Sequence, residues 1–141
     1  MNIGIVGSRR RDSLADYEKT LAAYYKVCED IAALERIVSG GCPKGGDRFA
    51  ERIAATFFIT PLIHYPDKGQ LDQELFKNNP RAAFAKINYV RNALIARDSD
   101  ILIAVVAPDR KGGTENTIKH FCEKLGKTEK ELITEGKLIL V

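Results

Sequence analysis

The chain predicts an α/β fold: one doubly wound, mainly parallel sheet of about five strands with helices on both faces, forming a single domain over residues 1–141. Three observations carry this expectation. Short β-branched runs alternate with segments of helical periodicity along the chain, and that alternation calls for parallel strands joined by crossovers. The run Ile101-Leu102-Ile103-Ala104-Val105-Val106 is apolar at every position, as a strand covered by helices on both faces must be. Glycine-bearing loops follow three of the strands, where open parallel sheets gather their binding groups.

Taken in order, Ile3 to Val6 reads as a strand ended by Gly7-Ser8, and Leu14 to Leu34 carries Leu14, Tyr17, Leu21, Tyr24, Tyr25 and Cys28 at helical spacing. Arg36 to Ser39 is a second strand, stopped by the glycine-rich segment 40–46. Asp47 to Phe57 then repeats the helical pattern with Phe49, Ile53, Ala54 and Phe57. Leu62 to Tyr65 is the third strand. The polar stretch from Pro66 to Arg81, with two prolines and Asn78-Asn79, lacks periodicity and reads as a long loop. Ala82 to Arg97 is helical, Asp100 to Val106 is a buried strand, and a loop from Ala107 to Gly113 leads into a helix from Thr114 to Leu125. Lys137 to Val141 closes as a strand. No repeat, linker or low-complexity tract divides the chain.

Composition narrows the function classes. With 141 residues, 45% hydrophobic and 29% charged, one ordinary core suffices, since at this length roughly two-thirds of the unfolded surface can be buried. No stretch reaches the roughly eighteen apolar residues that a membrane span needs. The first residues run directly into a strand without the basic and apolar regions of a leader. Cys28, Cys42 and Cys122 show no metal-type or disulfide-type spacing, so a cytoplasmic setting is expected, with no metal and no cofactor. The net charge of +3 is mild, and basic residues alternate with acidic ones, which argues against a nucleic-acid partner. The apolar helices leave room for a homodimer.

The candidate chemistry lies in the loops. In Gly7-Ser8-Arg9-Arg10-Arg11-Asp12, backbone N–H groups, a hydroxyl and guanidinium forks suit an anion; Arg10 and Arg11 read equally as a solvated turn beside a helix cap at Asp12 or Ser13. In Ser39-Gly40-Gly41-Cys42-Pro43-Lys44-Gly45-Gly46-Asp47, the glycines let backbone approach a ligand or another element closely, and Asp47 opens a helix. In Pro108 to Thr114, Gly112 and Gly113 precede a hydroxyl at a helix start, with Glu115, Asn116 and Thr117 in the first turn, an arrangement suited to phosphate. Cys42, in a glycine loop near a helix start, is placed where a thiolate would be stabilised but has no histidine near it in sequence to activate it, and His64 and His120 read as structural.

The motifs Gly7-Ser8-Arg9, Ser39-Gly40-Gly41, Gly45-Gly46-Asp47-Arg48 with Ala50-Glu51, Arg91-Asn92, Ser99-Asp100 and Gly112-Gly113-Thr114, in this order over nearly the whole chain, resemble the SLOG superfamily, which includes the DNA-processing protein DprA and the LOG phosphoribohydrolases. The likeness is greatest to its small stand-alone bacterial and phage members. It implies a Rossmann-like sheet and a nucleotide-related ligand held by Gly7, Ser8, Arg9, Ser39, Gly40, Gly41, Gly45, Gly46, Asp47, Arg91, Asn92, Gly112, Gly113, Thr114 and Asn116. By the same resemblance Arg91 matches the arginine of the LOG catalytic pair, whereas the position of the family's glutamate falls on Thr117. A carboxylate for glycosidic chemistry would then have to come from Glu115 or Asp47. The leading expectation is a sensor or binding module for a nucleotide. The alternatives are a nucleoside 5′-monophosphate N-glycosidase or deoxyribosyltransferase-like enzyme using Arg91, and a DprA-like DNA-binding protein.

Overall fold

In the computed structural model, which describes all of residues 1–141, the β-branched run near the start forms β1 (Asn2–Gly7), with Ile3 and Ile5 fully buried. It is followed by α1 (Leu14–Asp30), β2 (Arg36–Ser39), α2 (Gly46–Thr56), β3 (Thr60–Ile63), α3 (Gln73–Asn78), α4 (Pro80–Asp98), β4 (Ile101–Val105), α5 (Gly113–Leu125), α6 (Glu129–Thr134) and β5 (Leu138–Leu140). All strand pairs are parallel, and the sheet order is β3-β2-β1-β4-β5. Successive strands build outward from β1 on one side, and after β3 the chain crosses back to build outward on the other. The reversal of order therefore falls between β1 and β4, where Ile3 to Gly7 register with Ile101 to Val105.

The period-two alternation of each strand supplies two cores. One face carries Ile3, Ile5, Ile37, Ile101, Ile103 and Val105, packed against Tyr17, Tyr24 and Val27 of α1 and Phe49, Ile53 and Ala54 of α2. The opposite face carries Val6, Val38, Leu102, Ala104 and Leu138, covered by Ile95 of α4, Ile118 and Phe121 of α5, and Leu132 of α6. No helix of the chain is long and apolar enough to cross a membrane.

Four sequence expectations need correction. The first helix stops at Asp30, because Ile31 turns extended; Ile31 and Leu34 still pack on the core, which explains their helix-like spacing. The third strand is Thr60–Ile63, displaced from 62–65, because the edge position of β3 accepts Pro61 without losing a ladder bond to an outer neighbour. The segment 66–81 is not a structureless loop: it holds a 3-10 turn at Lys68–Gln70, the short helix α3, and the start of α4, where Asn79 caps and Pro80 takes the first helical position. The helix α6, begun by a Thr128–Glu131 capping box, was not anticipated.

One backbone contact joins β1 to α2. A Cβ on Gly46 would collide with the Gly7 nitrogen and with the Val6 carbonyl group, and one on Gly7 would lie 2.9 Å from the Gly46 nitrogen and Cα. The neighbour in each case is main chain, which cannot swing aside. Gly46→Ala is expected to lower stability by about 2–3 kcal/mol or more, read from urea denaturation midpoints; a loss under about 0.5 kcal/mol would show that β1 and α2 separate freely.

Candidate functional site

The loops after β1 and β4 diverge at the point where the strand order reverses, and a cavity of about 530 Å3 opens there. Such crevices form beyond the carboxyl ends of strands because neighbouring chain leaves the sheet toward opposite faces. The walls are the loop after β1, the segment after β2 with the first turn of α2, one side of α4, and the loop entering α5.

The loop after β1 is pinned at its base by the Ser8 N–H, which donates to the Val105 carbonyl at 2.9 Å. Ser8 Oγ accepts from the Arg10 N–H at 3.2 Å. Arg9 lines the cavity and makes no hydrogen bond or ion pair within the protein. Arg10 reaches across to Asp109 through two nitrogens, at 3.0 and 2.6 Å, tying this loop to the one after β4. Arg11 is structural: it holds Asp16 and the carbonyls of Val106 and Val141. Ser13 caps α1, while Asp12 accepts from the Gly45 N–H at 2.7 Å and from Arg48 at 2.9 Å. The Gly45 bond first, and Arg48 with it, holds the Asp12 carboxyl below the usual carboxylate range.

The segment after β2 explains most of its glycines by packing. Gly45 and Gly46 lie against the backbone of Ser8 and of Gly7, and Gly41, with φ of 72°, lies under the Tyr65 ring. Ser39 is fully buried, with Oγ donating to the Ile5 carbonyl at 2.6 Å. Asp47 is 6% exposed and lines the cavity. Its Oδ2 accepts from the Cys42 N–H at 3.1 Å; Oδ1 accepts nothing from the protein.

Arg91 projects from α4 beneath this segment. Its Nη1 donates to the Gly40 carbonyl and, at 3.3 Å, to that of His64, and its Nε donates to Asn92 Oδ1 at 3.0 Å. The Asn92 amide passes the connection on, donating to the Gly113 carbonyl and to Asn116 Oδ1, each at 3.2 Å. Burial lowers the Arg91 pKa, with Asp47 opposing, and the guanidinium stays charged.

At the entry to α5, Gly112 sits at the N-cap with φ of 117°, a conformation that side chains resist, and no side chain caps the helix. None of the amide N–H groups from Gly112 to Glu115 has an acceptor in the protein. By contrast α1, α3, α4 and α6 are each capped by their own Ser, Asp, Asn or Thr.

Of the residues expected from the sequence, Gly7, Ser8, Arg9, Asp47, Arg91, Asn92, Gly112, Gly113 and Thr114 line the cavity. Ser39, Gly40, Gly41, Gly45, Gly46 and Asn116 support it from behind through the contacts just given. Glu115 is not brought to the cavity: the turn of the helix directs it to Arg110, which also binds Glu129. The carboxylate of the cavity is Asp47, and Thr117 gives its hydroxyl to the Gly113 carbonyl at 3.3 Å. Sequence reasoning missed the α4 stripe of Arg81, Ala85, Asn88 and Tyr89, along with Lys111. The signal was present in Asn79-Pro80, a cap followed by a first-turn proline, which extends the helix back to include Arg81. Five cationic residues, Arg9, Arg10, Arg81, Arg91 and Lys111, thus surround one carboxylate.

Burial raises the Asp47 pKa, against the opposing effects of the Cys42 N–H and Arg91. A carboxyl whose folded pKa lies above its unfolded value, near 3.9, stabilises the fold below that unfolded value and loses the contribution as pH rises through the folded one. The stability of the wild type relative to Asp47→Asn is expected to fall as pH rises from about 4 toward neutrality, measured by urea denaturation at fixed ionic strength. A pH-independent difference would mean that Asp47 titrates as an ordinary aspartate. Comparison with protein-family models, with curated proteins and with solved structures found no match, so the chemistry of the site is read from its own atoms.

Proposed function

We propose that the chain binds a nucleotide or nucleotide-derived ligand, as a sensor or binding module, through the loops at the carboxyl edge of the sheet. The observation that carries this reading is the open start of α5, where the amides from Gly112 to Glu115 have no acceptor in the protein. A helix start of this kind attracts an anion through its N–H groups and its dipole. The charges nearby agree: Arg9, Arg81 and Lys111 line the same cavity and have no acidic partner. The N-terminus of α2 differs, since Asp12 already accepts from Gly45 and Asp47 lies in the first turn.

An inorganic anion alone would leave most of the cavity unfilled, because about 530 Å3 falls in the range that holds whole small molecules. Tyr89, 49% exposed and lining the cavity, offers a ring face for a base. Phosphate at the start of α5 and a base toward α4 describe a phosphorylated nucleoside.

A second reading, cleavage of the N-glycosidic bond, is favoured by one observation: a buried carboxylate with a raised pKa, Asp47, shares the cavity with Arg91. A carboxyl with a raised pKa holds a proton more readily, which suits proton transfer.

Calorimetric titration with nucleoside mono-, di- and triphosphates, NAD and ADP-ribose tests the proposal, with chromatography of each mixture after prolonged incubation. Binding with the nucleotide recovered intact is expected. Arg9→Ala is expected to weaken it about tenfold or more, the weight of one hydrogen bond to a charged group. Free base in the mixture, lost in Asp47→Asn, would establish the glycosidase instead, and absence of binding to any of these compounds would overturn both.

A further inference from the structure

We propose that Asp47 and Arg91 form a subsite for the vicinal hydroxyls of a ribose, so that the cavity discriminates ribonucleotides from their deoxy counterparts; this rests on the nucleotide reading above. The starting point is a pair of unmet polar groups. Asp47 is 6% exposed and its Oδ2 is occupied by the Cys42 N–H; the Ser39 hydroxyl lies near the carboxylate but gives its proton to the Ile5 carbonyl at 2.6 Å, so Oδ1 is left without a donor. Arg91 spends Nε on Asn92 and Nη1 on two carbonyls, leaving Nη2 without an acceptor. Neither Asp47 Oδ1 nor Arg91 Nη2 is sealed from solvent, and both residues line the cavity.

The two groups flank Gly40. A Cβ there would lie 2.7 Å from Asp47 Oδ2 and 2.7 Å from Arg91 Nη1, so the missing side chain is what lets acceptor and donor stand on either side of one position. Each feels the charge of the other, but their hydrogen bonds go to backbone groups and not to one another.

The chemistry of the missing partner follows from this pairing. A carboxylate oxygen requires a donor, and a guanidinium nitrogen requires an acceptor. Phosphate fails the first requirement, since it would set an anion against a buried carboxylate. A base edge sets an amine beside a ring acceptor and so can meet both groups, but its pattern changes from base to base, whereas the ribose is common to all nucleotides. A hydroxyl does both, and two adjacent hydroxyls can meet both groups at once. Phosphate is drawn to the other end of the cavity, where the open α5 start and Lys111 lie, which separates the sugar from the phosphate as a nucleotide does.

A site that has buried polar groups waiting for a ligand hydroxyl rejects an analogue lacking it, because those groups are then desolvated and unpaired. The test is calorimetric titration of the wild type with AMP, GMP, CMP and UMP, each beside its 2′-deoxy and 3′-deoxy counterpart. At least one deoxy series is expected to bind about tenfold to a hundredfold more weakly whatever the base, the weight of a hydrogen bond to a charged group. In Asp47→Asn, an isosteric change, the amide oxygen must keep the Cys42 N–H, the cavity side becomes a neutral donor, and the ratio is expected to shrink to a few-fold. Lys111→Ala is expected to weaken ribo and deoxy ligands alike, leaving the ratio unchanged. Equal binding of ribo and deoxy forms by the wild type, or a ratio that persists in Asp47→Asn, would overturn the subsite while leaving the nucleotide reading intact. Failure of every nucleotide to bind would overturn both.

Discussion

The site depends on main chain meeting main chain between the end of β1 and the start of α2. Gly7 and Gly46 touch through their backbones, and Gly45 lies against the Ser8 carbonyl. With α2 seated that deep, its first turn presents Asp47 to the cavity, and Asp12 reaches the Gly45 N–H and Arg48. The segment after β2 is then held between the sheet and α4, close enough for Arg91 to grip the carbonyls of Gly40 and His64. Side chains at any of these glycines would push the layers apart and separate the groups that line the cavity.

The fold was legible wherever local pattern and tertiary environment agreed. The uniformly apolar run 101–105 and the β-branched 3–6 became the two central strands because both faces are covered there. Reading failed where an edge or a cap relaxed the rule: Pro61 enters a strand because β3 is an edge, and Asn79-Pro80 opens a helix inside a stretch that looked irregular. Glycine was the least readable residue. It marks close approach but not the partner approached, so the segment 40–46 read as close to a ligand or to another element, and the structure sets Gly41, Gly45 and Gly46 against Tyr65, Ser8 and Gly7. The acidic residue was ambiguous for a related reason. Glu115 and Asp47 each sit in the first turn of a helix after a glycine loop, and only the position of Arg110 shows which of them turns away.

The chain distributes its own polar groups unevenly among its helix starts. Four α-helices receive a side-chain cap, and α2 has acidic residues at its opening. The start of α5 receives none, although a capping side chain contributes roughly 1 kcal/mol. That omission is structurally permitted because Asn92 anchors the first turn from outside, through the Gly113 carbonyl and Asn116. The helix is thereby positioned by its carbonyl and side-chain groups, and the amides that open it, beside the cavity, are left without acceptors in the protein.

The central place of β1 also bears on how the protein is made. Ile3 must find Ile101 as well as Ile37, so β1 is bordered on one side by a neighbour nearly a hundred residues further along the chain. Contacts so distant along the chain close slowly, because the entropy of the intervening loop is lost before the pairing is gained. On the ribosome, β1, β2 and α2 can assemble early, while one edge of β1 stays unpaired until residue 105 has left the exit tunnel. The cavity, which needs the loops from both sides of that late seam, cannot take shape before it closes, and an unpaired apolar strand edge in the interim is where nascent chains of this protein would be most exposed to wrong partners.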